Sequence, residues 1–310
     1  MSIRLIANWS ALSAFWIAGG FAQTIQYIVP DAMPSLPYSF GVMFPNEIKT
    51  IDVSVTARGT KFNQTGIPAS APPASSLKGQ MQQALANLDT AMHELHSSKM
   101  DIAKLNIKFA GYSYDQVQML GDLLEEYFII RNTSKELRYP PVRTLVGMES
   151  LGDEKRLVEI DATLFDPKSK PEMLMNQGIE IPDDYGTHGS TLLIGGITAM
   201  NKSHVVKGLN SMRTQAQTSL EHMDLVLSQA GASRGDVKAI HVFYTPKPGT
   251  DAGDRAQAEK LLREELKKYF GDNTEGPKVT LQADVVNCSP YLRVLVDAQA
   301  SVRARPAPKA

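Results

Sequence analysis

Apolar residues recur along this chain in two rhythms, and the rhythms themselves repeat. Across positions 82–92 they stand at Leu85, Leu88 and Met92, steps of three and four that lay a stripe along one side of a helix. The same stripe returns 135 positions later at Leu220, Met223 and Leu227, with Asp89 answered by Asp224. The register runs on without a gap. Leu105 and Ile107 meet Ile240 and Val242, and there every second residue is apolar, the mark of a strand. A second helical pattern follows in each half, at 116–128 and 254–270, each ending in Tyr-Phe. Two strand-like runs then close each half, at 142–164 and 278–302, and each pair is expected to form a hairpin. Upstream, 65–69 matches 195–199, each after a strand-like run, 61–64 and 192–194. One unit therefore reads strand, strand, helix, strand, helix, strand, strand. The chain is predicted to be α+β, two tandem units, each a mixed sheet with two helices packed on one face.

The first closing hairpin carries the candidate chemistry. With its turn centred on Leu151, Arg143 is expected opposite Glu159, and opposed residues share a sheet face about 5 Å apart. A guanidinium fork fits a carboxylate with two parallel hydrogen bonds. The pair is then either a cross-strand ion pair or a site where Arg143 holds a substrate acid while Glu159 handles a water or a proton. In the second half the matching positions are Val279 and Leu295, an apolar couple, so that unit is expected to lack the chemistry. Gly195-Gly196 is read as a tight turn, and Cys288 as a loop residue. His93 and His96 stand three apart with no third metal ligand placed by the sequence.

Composition narrows the classes. The chain has 310 residues, 43% of them apolar, and a formal net charge of −1. That leaves no excess of positive charge for a nucleic acid. One cysteine rules out an intrachain disulfide and a thiolate cluster. Positions 5–20 are mostly apolar after Arg4, and Gly20-Phe21-Ala22 offers small residues before Gln23, the layout of a secretory signal peptide cleaved after Ala22. The expected organisation is a signal peptide at 1–22, a first unit at 35–166, a linker at 167–184, a second unit at 185–303 and a tail at 304–310. Location follows the signal: periplasmic or secreted where it is cleaved, cytoplasmic where it is not, with no membrane partner after its removal.

Several of these stretches resemble the reactive-intermediate deaminase (Rid, YjgF-type) family. The resemblance is carried by the helix at 217–227, by Ala230-Gly-Ala-Ser and the run through Thr245, by Pro141-Val-Arg143-Thr144, by Val158-Glu-Ile-Asp-Ala162, and by Pro37-Tyr38-Ser39. It covers roughly 36–164 and 185–302. It implies a chorismate-mutase-like fold, a homotrimer, pockets between adjacent units, and hydrolysis of a small 2-imino acid or enamine to a keto acid and ammonia. In those terms Arg143 holds the substrate carboxylate and Glu159 positions or activates water. Tyr38 and Thr65 match a pocket tyrosine and serine, Gly66 lies where backbone contacts form, and Leu145 replaces a Cys or Thr that often follows the arginine. No metal or organic cofactor is implied. The alternative expectation is a non-catalytic small-molecule-binding or scaffold protein that keeps the fold.

Overall fold

In the computed structural model, Leu85, Leu88 and Met92 lie on the buried side of an 18-residue helix, α1 (Leu77–Glu94), and Leu220, Met223 and Leu227 do the same in α3 (Met212–Gln229). Each helix begins at a serine, Ser76 or Ser211, whose side chain takes the backbone N–H three residues on. The structure describes residues 25–34, 36, 38–60, 74–111, 113–128, 141–169, 189–271, 276–283, 285–287 and 291–303. The signal-peptide reading of 1–22, Thr65 and Gly66, most of the linker, Cys288 and the tail lie outside these residues.

The strands are β1 (Gln26–Ile28), β2 (Gly41–Pro45), β3 (Thr50–Thr56), β4 (Gly59–Thr60), β5 (Ile102–Ala110), β6 (Val142–Met148), β7 (Val158–Phe165), β8 (Ser190–Thr198), β9 (Val237–Tyr244), β10 (Lys278–Gln282), β11 (Val285–Asn287) and β12 (Val294–Val302). The second helices are α2 (Tyr114–Phe128) and α4 (Arg255–Phe270). They build two six-stranded mixed sheets, ordered β11-β6-β5-β7-β3-β4 and β1-β2-β8-β12-β9-β10. Helices α1 and α2 cover one face of the first sheet, and α3 and α4 one face of the second, each over its own apolar core. The two bare faces meet each other through Val42, Phe44, Ala103, Val142 and Phe165, and through Val146, Phe243 and Leu295. The layers run helices, sheet, sheet, helices.

Neither closing hairpin forms. Strand β5 lies between β6 and β7, parallel to the first and antiparallel to the second. Strand β9 lies in the same way between β10 and β12. The physical reason is the helix that precedes each closing pair. Parallel neighbours need a long crossover, and α2 and α4 supply it, so β6 and β10 are laid parallel to β5 and β9 on one side, and β7 and β12 pair on the other.

Two further expectations change. The strand that pairs with β7 is β3, so β3 holds in the first sheet the place β8 holds in the second, in contrast to the expected match of 61–64 with 192–194. Strands β1 and β2 join the second sheet beside β8, and β11 leaves the second half to pair with β6. The expected boundary at 35–166 therefore does not follow the hydrogen bonding: the opening segment completes the second sheet, and the two units exchange edge strands.

Gly195-Gly196 is not a turn but an irregularity inside β8, where the register with β12 shifts. A Cβ on Gly195 would come within 2.8 Å of Thr144 and Val142, and Gly196 sits at φ +66 with the Arg143 carbonyl 2.4 Å from where its Cβ would be. Only a residue without a side chain lets β8 press onto β6 here. Gly196→Ala is expected to lower stability by about 2–4 kcal/mol, the combined effect of left-handed strain and backbone overlap. Chemical denaturation measures this, and a loss below about 0.5 kcal/mol would mean the contact is loose.

Candidate functional site at the junction of the two units

Strand register decides what Arg143 and Glu159 can do together. Arg143 is level with Leu105 on β5, whereas Glu159 is level with Lys108, three residues further along. Side chains alternate along a strand, and cross-strand neighbours share a face. Lys108, Val146 and Glu159 therefore point to one side, toward the second sheet, and Arg143, Leu105 and Leu145 to the other. The two residues are also about 10 Å apart across the sheet, two strand spacings, and about 10 Å apart along it. The expected opposed pair does not exist.

Each of the two has its own surroundings. Glu159 accepts from Lys108 Nζ at 3.4 Å and from Arg156 at 3.3 Å, and its side chain is only 15% exposed. Lys108 also holds Asp161 at 2.8 Å. Burial opposes the charge on Lys108, yet hydrogen bonds and attraction from Asp161 and Glu159 prevail and raise its pKa. This is a closed ion-pair cluster. The Arg143 guanidinium lies 4.3 Å from the centre of the Tyr38 ring, and no carboxylate among the described residues pairs with it. Tyr38 packs edge-on against Phe40 and borders Gly196. Leu145, expected at the pocket, is 6% exposed and belongs to the core under α1 and α2. The structure thus brings Arg143 and Tyr38 together, one from each sheet's strands or their approach; Glu159 lies on the opposite face, and Leu145, two residues along on the side of Arg143, is buried in the core.

A buried polar knot sits directly behind Arg143. Asp297, 6% exposed, accepts from Lys104 Nζ at 2.7 Å, from the Thr144 hydroxyl at 2.7 Å and from the Gly196 N–H at 3.1 Å. Lys104 also donates to the Ile194 carbonyl at 3.0 Å. Lys104 and Thr144 come from the first sheet, Asp297, Gly196 and Ile194 from the second. Neither Lys104 nor Asp297 was singled out from the sequence, where Thr144 figured only in a motif and Gly196 only in an expected turn. The available signal was a lysine in an otherwise apolar strand, but nothing local says that its partner stands 193 positions away.

His241 borders the same layer, cross-strand from Asp297. Burial, with Lys104 and Lys108 acting in the same direction, holds its pKa below 6.5 against the pull of Asp297 and a Gln282 hydrogen bond. Its Nε2 is enclosed without a partner, as is Oδ1 of Asn106 in the facing sheet. A groove of about 310 Å³ lies elsewhere, between Lys78 of α1 and Asp115, Asp122 and Glu126 of α2, and none of the predicted site residues lines it. Among the described residues no three His, Cys, Asp or Glu side chains converge as metal ligands, and no helix is long and apolar enough to cross a membrane.

Taken together, the class is a two-unit α+β protein whose sheets are joined by a buried charged knot, with Arg143 stacked on Tyr38 beside it. The chain is similar to solved structures of the Rid/YjgF/UK114 family. One is the Rid-family protein YyfB from Yersinia pestis, 21% identical, covering 46% of this chain and 98% of that one, with a TM-score of 0.37. Another is a YjgF/YER057c/UK114-family protein from Mycobacterium tuberculosis, 17% identical over 44% of this chain and 99% of that one, at 0.28. A third is TdcF from E. coli, solved with bound serine, 19% identical over 41% and 87%, at 0.29. No family model and no curated protein matches the chain. Similarity at these values supports no statement about activity, so the functional reading rests on the side chains themselves.

Two outcomes check the knot. Asp297→Ala strands Lys104 in the interior and is expected to cost about 3–5 kcal/mol, whereas Lys104→Met with Asp297→Leu, which removes both charges, recovers most of that. A double variant as unstable as the single would show that packing, not charge, is at stake. For His241 the folded pKa lies below the unfolded one, so its contribution to stability is present above about pH 6.5 and is lost as the pH falls below it. His241→Gln should flatten the stability profile between about pH 6.5 and 5, read by denaturation at each pH. An unchanged slope would remove His241 as the cause.

Proposed function

We propose that the chain binds a small carboxylic acid at the junction of its two units, with Arg143 holding the carboxylate. The observation that carries this is the Arg143 guanidinium, stacked on Tyr38 and not taken by any described carboxylate. The ring fixes the plane of the fork by a contact of about 0.5–2 kcal/mol. Its edge donors stay available for a bidentate acid, a charged interaction of about 1.5–3 kcal/mol per hydrogen bond. Stack and acid use different sides of the same group, so neither displaces the other.

The geometry gives little support to a hydrolytic base at this place. Glu159 faces the other side of its sheet inside its own ion pairs. Its counterpart in the second unit, the residue that does face β6, is Leu295, packed with Val146 and Phe243. Asp297, the nearest carboxylate in the knot, already takes three donors. The reading is therefore a binding protein rather than a deaminase. The second reading, hydrolysis of a 2-imino acid to a keto acid and ammonia, draws on the same Arg143 and Tyr38.

Calorimetry with 2-oxobutyrate, together with ammonia release from freshly generated 2-iminobutyrate, separates them. Wild type is expected to bind the keto acid, Arg143→Ala to lose at least tenfold in affinity, and Glu159→Gln to bind as wild type, with no turnover above background in any of them. Equal binding by wild type and Arg143→Ala would end the proposal. Turnover abolished by Glu159→Gln would replace it with the second reading.

A further inference from the structure

The duplication supplies an internal control for which side chains the fold itself demands. In the first unit Gln80 clamps the chain just before β7: its Oε1 takes the Leu157 N–H at 2.9 Å and its Nε2 donates to the Lys155 carbonyl at 2.7 Å. In the second unit Gln215 does the same just before β12, taking the Arg293 N–H at 2.8 Å and donating to the Tyr291 carbonyl at 2.7 Å. Arg293 therefore occupies the place of Leu157. The clamp works with an apolar residue there, so the arginine is not needed to build it.

Yet Arg293 is expensive where it stands. It is 3% exposed, and its Nε is enclosed with no hydrogen-bond partner. No described side chain accepts from its Nη atoms either. Among the described residues the one charge acting on it is Asp251. That carboxylate is already engaged by the N–H groups of Met212 and Arg213, at 2.8 and 3.1 Å, and by the Ser211 hydroxyl at 2.8 Å. Burial pulls the pKa of Arg293 down, with Asp251 opposing, but a guanidinium stays protonated at any pH a fold tolerates. A buried charge without an ion pair or hydrogen bonds costs several kcal/mol. A leucine, as in the first unit, would avoid that cost.

We propose that Arg293 is the core of a second ligand site, which takes a small oxyanion, a carboxylate or a phosphate, on its guanidinium. The site is separate from the junction. Arg293 lies on the approach to β12, four residues before Asp297, on the α3 side of the second unit beside Gln215, Thr245 and Asp251. The anion would supply the counter-charge the protein withholds, and its binding would stabilise the second unit by mass action.

The test is thermal unfolding of the full chain titrated with sodium phosphate, sodium acetate or sodium chloride at constant ionic strength. Wild type and Arg143→Ala are expected to show a saturable rise in Tm of about 2 °C or more with phosphate or acetate, beyond chloride. In the Arg143→Ala background, which removes the junction site, Arg293→Leu, the residue type the first unit carries at this place, should fold and show no such rise. Phosphate alone or acetate alone acting would name the source of the oxyanion. No saturable rise in wild type beyond chloride, or the same rise in that double variant, would overturn the proposal. If the double variant does not fold, Arg293→Lys in the same background decides, since it keeps the charge and loses the fork. A titration midpoint unchanged from Arg143→Ala in that variant also overturns it.

Discussion

Asp297 is the point on which the arrangement of the two units depends. A carboxylate placed between two sheets is tolerable only when donors surround it, and here Lys104, Thr144 and the Gly196 amide do so from both sides. The net energy of such a knot is small or even unfavourable beside a well-packed apolar substitute. What it supplies is discrimination. A docking shifted by one residue along β6 would bury an unpaired lysine and an unpaired aspartate together. The apolar contacts around it, Val142 with Phe44 and Phe165, or Val146 with Leu295, hold the sheets together without being so exacting about register.

Gly195 and Gly196 make the knot possible, and the candidate site follows from the same contact. Because β8 can press onto β6, the Arg143 main chain comes against Gly196, and Tyr38, entering the second sheet ahead of β2, lies under the Arg143 guanidinium. The exchange of edge strands serves the same end. The segment that carries Tyr38 belongs by sequence to the first half and by hydrogen bonding to the second. The junction is thus assembled from both units within a single chain.

Comparison of the two units separates scaffold from function without any second protein. Ser98 with Asp101 and Ser233 with Asp236 form the same capping box. Asp89, Tyr127 and Lys99 form a cluster that Asp224, Tyr269 and Arg234 repeat, with the cation over the ring in both. In both, burial and the neighbouring aspartate push the tyrosine hydroxyl pKa up. These positions kept their chemistry because the helix–strand corner needs it. The positions that parted company are Arg143 against Val279, Glu159 against Leu295 and Leu157 against Arg293. None of the three is required by the corner, so all three were open to specialisation.

The sequence by itself determined the elements and their duplication. The stripe of Leu85, Leu88 and Met92, its echo at Leu220, Met223 and Leu227, and the alternation through β5 and β9 are local, and local periodicity is what a helix or strand imposes. Arg143 and Tyr38 were legible as site candidates through their motifs. The tertiary structure decided which strand lies beside which. Alternation marks a strand's two faces but carries no label for its neighbour, so the closing runs read as hairpins while β5 and β9 came between them. That insertion put Arg143 and Glu159 on opposite faces. It also joined Lys104 to Asp297 across most of the chain, a pairing that depends on how two whole sheets meet and leaves no trace in either residue's own surroundings.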